Sequence, residues 1–290
     1  MRSIVCVLRW LAGPACASVV VAAAAAAQVP GAGAAAFPAV TIPGTESRAL
    51  TSAATGRSYA VGVFLPAGYA RDTTARYPVL YVLDGHWDFK LLASIQGGLV
   101  YDRVTPQIIV VGIGYTGTDA DYNALRAMDY TTTALPRVAG SGGAPRFLAF
   151  LRDELIPFIE RNYRADPSPS RRALMGSSYG GLFTLFALFT EPGLFGGYVA
   201  ASPSVTYGNR SAFALEAAYA AARRDLPVRL FVSVGELEDL AGPVGAFVEV
   251  LRGREYSGLA LETRVIEGER HAGNKPEAYN RGLRFVMGNR

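Results

Sequence analysis

The chain has 290 residues, 50% of them hydrophobic, with 28 Lys and Arg against 24 Asp and Glu for a formal net charge of +4. Two of the excess positive charges, Arg2 and Arg9, and both cysteines, Cys6 and Cys16, fall in an N-terminal stretch that reads as an export signal. The remainder of the chain is close to neutral and has no lysine–arginine run and no thiol, which argues against nucleic acid as a partner and excludes disulfides, cysteine nucleophiles and thiolate metal sites.

In chain order, the apolar stretch Val19–Ala27 ends in Ala25-Ala26-Ala27 before Gln28, a sequence that suits a signal peptidase cutting near Ala27. Gly13 and Pro14 interrupt the apolar region and make it a poor membrane anchor, so the mature protein is expected in the periplasm or outside the cell, with no membrane association. Residues 28–43 are Ala/Gly/Pro-rich and read as a flexible leader. Residues 44–290 are expected to form a single domain, long enough for one large core.

Two strand-like segments, Glu46–Ser52 and Tyr59–Leu65, are joined by Ala54-Thr55-Gly56-Arg57 and predict a hairpin. Pro78–Leu83 and Gln107–Ile113 are continuous apolar runs of strand length, the pattern of strands buried on both faces. Residues 115–143 lack a clear period and are rich in Gly, Thr and Asp; a segment of that length is expected over a functional site. A helical period covers Phe147–Tyr163, a short strand Arg172–Met175, and an apolar helix Gly181–Thr190. Further strands are expected at Tyr198–Ala201, Val228–Val234 and Ala260–Ile266, and helices at Ser211–Arg223, Pro243–Arg252 and Lys275–Met287. Strand and helix alternate after an antiparallel start, which predicts an α/β fold with a mostly parallel sheet and helices on both faces. Sites in such sheets lie at the carboxyl ends of the strands.

Gly176-Ser177-Ser178-Tyr179-Gly180 fits G-x-S-x-G between a predicted strand and a predicted helix. That turn is tight enough to strain its central residue and to push a serine hydroxyl above the sheet, as a nucleophile requires. His271, between the last strand and last helix, supplies an imidazole in the order serine, acid, histidine. The acid is expected from Gly235-Glu236-Leu237-Glu238-Asp239; the third residue past the glycine is Glu238, with Asp239 as the alternative and Glu236 as a solvated turn residue. Oxyanion donors are expected from the backbone amides of Tyr179, next to the serine, and of His86, in Gly85-His86-Trp87 after an early strand. Trp87 is a candidate pocket wall, with a core position as the alternative.

Four further stretches carry a resemblance: residues 77–85 (Tyr77 through Gly85), Arg126-Ala127-Met128-Asp129-Tyr130-Thr131, Gly180-Gly181-Leu182-Phe183 and Ala201-Ser202-Pro203-Ser204. Together they resemble the putative-esterase branch of the α/β-hydrolase superfamily, and within it periplasmic siderophore esterases of the enterochelin (trilactone) type. The likeness runs from about Glu46 to Met287. It implies Ser178 as nucleophile, His271 as general base, a substrate wall containing Arg126, Asp129 and Tyr130, and neither metal nor organic cofactor. Feruloyl and acetyl-xylan esterases and mycolyltransferases share the architecture and keep an Asp or Glu as third member, whereas some siderophore esterases resemble Ser-His dyads, so the role of Glu238 stays open. Ser177 stands where the family often has histidine, and Thr132 where it usually has proline. Arg126 has a second reading as an ion-pair partner of Asp129 one helical turn away, and Ser202-Pro203-Ser204 reads as a structural turn.

The expected activity is a serine-dependent carboxylic-ester hydrolase acting on a small-molecule ester. The alternatives are an acyltransferase of the same fold, a feruloyl or acetyl-sugar esterase, or a non-catalytic binding protein on this scaffold. The residues do not fix an oligomeric state.

Overall fold

The computed structural model describes residues 40–117 and 119–289; the expected signal peptide and residues 28–39 of the expected leader lie outside them. Eight strands form one sheet: β1 (Thr45–Thr51), β2 (Ser58–Phe64), β3 (Val79–Val82), β4 (Ile109–Tyr115), β5 (Arg172–Ser177), β6 (Gly197–Ala201), β7 (Arg229–Gly235) and β8 (Ala260–Ile266). Their order is β1-β2-β4-β3-β5-β6-β7-β8. The β1–β2 and β2–β4 pairs are antiparallel, and every pair from β4–β3 onward is parallel. This is the expected α/β-hydrolase arrangement, an antiparallel hairpin added to a parallel sheet.

The apolar runs explain why the central strands are buried on both sides. Side chains alternate across the sheet, so Val79 and Tyr81 join one core while Leu80 and Val82 join the other. The first core lies under Phe147, Phe183 and Phe247, the second under Leu92, Leu283 and Val286. Those side chains come from helices α1 (Gly85–Tyr101), α3 (Ala144–Ala149), α5 (Tyr179–Thr190), α7 (Ala241–Arg254) and α8 (Lys275–Met287); α2 (Tyr122–Tyr130), α4 (Ile156–Asn162) and α6 (Tyr207–Ala222) also pack on the first core.

The structure departs from the sequence expectations in three places. Helix α1 comes directly after β3 and has no counterpart among the expected helices; its buried Leu92, Gln96 and Leu99 do keep a helical spacing, but Gly97 and Gly98 obscure it. The aperiodic segment 115–143 contains α2, whose buried residues Ala127, Asp129 and Tyr130 include a carboxylate that masks the apolar face. The single helix expected over 147–163 is α3 and α4 joined through a π-helical stretch, Phe150–Leu155. There Glu154 accepts hydrogen bonds from Ser52 Oγ and from the Ala53 and Ala54 amides, so this bulged helix holds the turn of the β1–β2 hairpin.

The strand ends that build the site are laced together by backbone hydrogen bonds at one level. Leu83 N donates to Met175 O at 2.9 Å, Ser178 N to Ala201 O at 3.0 Å, Ser202 N to Ser233 O at 2.7 Å and Glu236 N to Ile266 O at 2.9 Å. Residues at or just beyond the ends of β3, β5, β6, β7 and β8 therefore line up along the carboxyl edge of the sheet.

Candidate active site

Ser178 occupies the junction of β5 and α5 with φ 60° and ψ −117°, a conformation that non-glycine residues rarely adopt. The turn closes only because its neighbours are small: a Cβ on Gly176 would lie 2.6 Å from the carbonyl carbon of Gly180. Ser178 Oγ lies 3.4 Å from Ser204 Oγ, and Ser204 N donates to Ser178 O, so the turn after β6 supports the serine from below.

Glu238 and His271 meet. His271 Nδ1 lies 2.5 Å from Glu238 Oε2. The other carboxylate oxygen, Oε1, accepts from Ser202 Oγ at 2.6 Å, Gly235 N at 2.7 Å and Asn274 Nδ2 at 2.8 Å. With Oε1 saturated, Oε2 is left to the imidazole. An acceptor at Nδ1 places the ring proton there and leaves the Nε2 lone pair available as a base. The Glu238 side chain is 3% exposed and that of His271 is 47% exposed, a buried carboxylate behind an accessible imidazole. Asp239 is exposed, and Glu236 accepts from the Gly268 amide. Among the described residues no hydrogen bond joins Ser178 Oγ to His271. Such bonds are often long before substrate binds and shorten with it.

Sequence reasoning missed the groups around Glu238. Asn274 stands at the N-cap of α8 but makes no side-chain cap; its amide reaches Glu238 Oε1, Ser202 Oγ and the Arg270 and His271 carbonyls. It thus ties the histidine loop to the acid. An N-cap residue before Lys275-Pro276 is legible as a helix start, and that local role hid the longer-range one. Ser202, read as structural, sits at a φ of 41° and donates directly to Glu238 Oε1.

On the other side, Gly85, His86 and Trp87 open α1. Gly85 packs against β4 so closely that a Cβ there would lie 2.6 Å from Gly112 C. Among the described residues neither the His86 nor the Tyr179 backbone amide is paired with an acceptor, as is usual for amides in a first helical turn. Trp87 is 44% exposed and so is not a core residue, with Arg126 Cζ at 5.6 Å and Lys275 Nζ at 5.8 Å from its ring centroid. Lys275 also bonds both oxygens of Asp88, which accepts from Tyr279 Oη as well, fastening α1 to α8. Burial pushes the Asp88 carboxyl above its ordinary range.

Two expectations need correction. Asp129 and Tyr130 are fully buried and present no surface to a substrate. Asp129 accepts from Tyr59 Oη at 2.9 Å and pairs with Arg57, not with Arg126. Tyr130 Oη accepts from the Asp84 amide at 3.2 Å. Both are supports beneath the site. Arg126 pairs with Asp84 instead, through Nε at 2.9 Å and Nη2 at 2.7 Å.

The His86 imidazole stacks on Tyr122 with ring centroids 4.0 Å apart, and both its nitrogens are buried without a partner among the described residues. Burial first, then the nearby charges of Arg126 and Lys275 against the opposing Asp88, lower its pKa from 6.5 to about 4. Between those values the unfolded chain binds a proton that the folded chain does not, so stability is complete above pH 6.5 and declines as pH falls toward 4. His86→Phe is expected to lose less of its urea midpoint than wild type between about pH 7 and pH 5; identical losses would refute this.

Residues 52–271 match the family described as "Putative esterase". The chain is 30% identical over 269 residues to the ferri-bacillibactin esterase BesA of Bacillus subtilis, covering 86% of this chain and 91% of that protein. Among solved structures it resembles the BES protein from Bacillus cereus (TM-score 0.77, 29% identity, 87% of this chain and 97% of that one). It also resembles an IroE-like serine hydrolase from Shewanella oneidensis (TM-score 0.74, 27% identity, 84% of this chain and 80% of that one). With most of its length matched and the fold in common, the chain belongs to this family of esterases, within the α/β-hydrolases.

Proposed function

We propose that this esterase hydrolyses a siderophore-type carboxylic ester through an acyl-enzyme on Ser178. Ser178 Oγ attacks the ester carbonyl while His271 Nε2 takes its proton. The carbonyl oxygen, now anionic, is held by the Tyr179 and His86 amides. His271 returns the proton to the leaving alcohol as the tetrahedral intermediate collapses. It then deprotonates a water that attacks the acyl group, and the second collapse releases the acid and restores the serine hydroxyl. Glu238 accepts the Nδ1 proton's hydrogen bond throughout and stabilises the imidazolium without taking the proton.

The observation that carries this reading is the buried Glu238 on His271 Nδ1 at 2.5 Å, together with a serine at a strained strand-to-helix turn, Glu238 and Ser178 both being in contact with the turn Ser202-Pro203-Ser204 after β6. The substrate class is supported by the name of the Bacillus subtilis relative, a ferri-bacillibactin esterase, and by the exposed ring of Trp87, an aromatic surface suited to stacking a catechol. We place the enzyme in the periplasm or outside the cell, on the strength of the N-terminal signal sequence. Competing hydrolysis of a ferric catecholate trilactone, a feruloyl ester and a p-nitrophenyl short-chain ester should give the trilactone the highest kcat/KM. A feruloyl ester preferred by tenfold or more would overturn the substrate assignment.

A further inference from the structure

We propose that Arg126 is a positioning residue that sets the spacing of the two oxyanion donors, rather than a group that holds the substrate. The inference rests on the serine-hydrolase reading of the site. The donors come from different chain segments, His86 beyond β3 and Tyr179 beyond β5. The last backbone bond between those segments is Leu83 N to Met175 O. Past it the two chains separate, one into α1 and the other into α5.

Arg126 is the next tie. Its Nε and Nη2 grip both oxygens of Asp84, two residues before His86, and Nη2 also donates to Ser177 O at 3.1 Å, two residues before Tyr179. One planar guanidinium therefore fixes one segment against the other in two directions, which a point charge on a flexible stem could not. Asp84 is itself specialised for the task. It is fully buried, sits at φ 54° and ψ 40°, and occupies the N-cap of α1 without capping it. The carboxylate that would usually bond a first-turn amide turns to Arg126, so the His86 amide has no acceptor among the described residues, while those of Trp87 and Asp88 reach Asp84 O. Asp84 Oδ2 also lies against Gly180, where a Cβ would approach it to 3.3 Å.

Arg126 is held in turn by its surroundings. Its side chain is 11% exposed. Its Cζ lies 5.5 Å from the Tyr179 ring centroid and 5.6 Å from that of Trp87. Tyr130, one helical turn further along α2, accepts a hydrogen bond from the Asp84 amide. Oxyanion donors act only when held where the charge will develop, so slack between the two segments costs turnover more than binding.

The test compares Arg126→Ala, Arg126→Lys and Asp84→Asn in the full-length mature enzyme, on a neutral p-nitrophenyl ester and on an ester bearing a carboxylate. Ser178→Ala is the control, and an organophosphate titrates the active sites. Loss of one oxyanion donor lowers kcat by about 100-fold or more. For Arg126→Ala we expect a kcat loss of about that size on both esters, with KM within about twofold of wild type. Arg126→Lys should recover only part of it, and low concentrations of guanidinium should partly rescue Arg126→Ala. The titrated fraction of sites should stay near one in every folded variant. A loss seen only with the anionic ester and carried by KM would overturn the proposal in favour of substrate binding. A titre falling in step with activity would overturn it in favour of a purely structural role. Wild-type hydrolysis by Ser178→Ala would instead remove the serine reading itself.

Discussion

Ser178→Gly is expected to abolish ester hydrolysis and at the same time to make the protein more stable than Ser178→Ala. Either substitution removes the hydroxyl, and loss of a serine nucleophile from such a site lowers kcat on the order of 10⁶-fold. The two differ in the backbone. At φ 60° and ψ −117° any side chain with a Cβ is strained, at a cost of about 1–3 kcal/mol, and glycine is not. Glycine elsewhere loses roughly 0.5–1 kcal/mol to the entropy of the unfolded chain. The difference leaves Ser178→Gly ahead of Ser178→Ala by about 1 kcal/mol, measurable as a shift in urea midpoint at constant m-value. A glycine variant less stable than the alanine variant would mean that the turn is not strained. The same comparison assigns the strain to function, since a site free of that demand would carry glycine there.

The second large effect is expected at Glu238. Glu238→Gln keeps the shape of the side chain but must turn an NH₂ toward either His271 Nδ1 or the donors Ser202 Oγ, Gly235 N and Asn274 Nδ2. In either orientation a donor faces a donor, or the imidazole is driven into the tautomer with its proton on Nε2. The corresponding change in a serine protease triad lowers kcat about 10⁴-fold, and a loss of about 10³- to 10⁴-fold is expected here. Asp239→Asn should stay within about twofold of wild type, because that side chain is exposed and outside the network. A larger loss in Asp239→Asn than in Glu238→Gln, measured as kcat on a p-nitrophenyl ester, would transfer the acid role. A small loss in both would make the site a Ser-His dyad.

Much of this architecture is legible in the sequence, and what is not shares a cause. The continuous apolar runs at Pro78–Leu83 and Gln107–Ile113 reveal doubly buried strands because burial on both faces leaves no polar positions. The G-x-S-x-G turn is legible because a tight strand-to-helix junction demands small residues at fixed local spacing. Chain order points to His271 and to the turn at residues 235–239, within which Glu238 and Asp239 both stay open. By contrast, Asp84 and Arg126 are 42 residues apart, and Ser202 and Glu238 are 36 apart. Two of these residues also have a satisfactory local reading: Arg126 as a one-turn partner of Asp129 and Ser202 as part of a turn. Local plausibility concealed pairings that exist only once β3, β5, β6 and β7 are brought side by side. Helix α1 escapes recognition for a different reason, since its glycines and polar buried Gln96 weaken the period on which recognition of a helix depends.

Every step of the proposed reaction depends on a covalent bond between the substrate acyl group and one hydroxyl. Rapid acid quench of the enzyme with excess p-nitrophenyl acyl ester, coupled to intact-mass and peptide analysis, tests it directly. One acyl group per chain, mapped to the peptide containing Ser178 and missing from Ser178→Ala, is the expected result. Rapid turnover with an adduct on another residue, or undiminished turnover in Ser178→Ala, would contradict it.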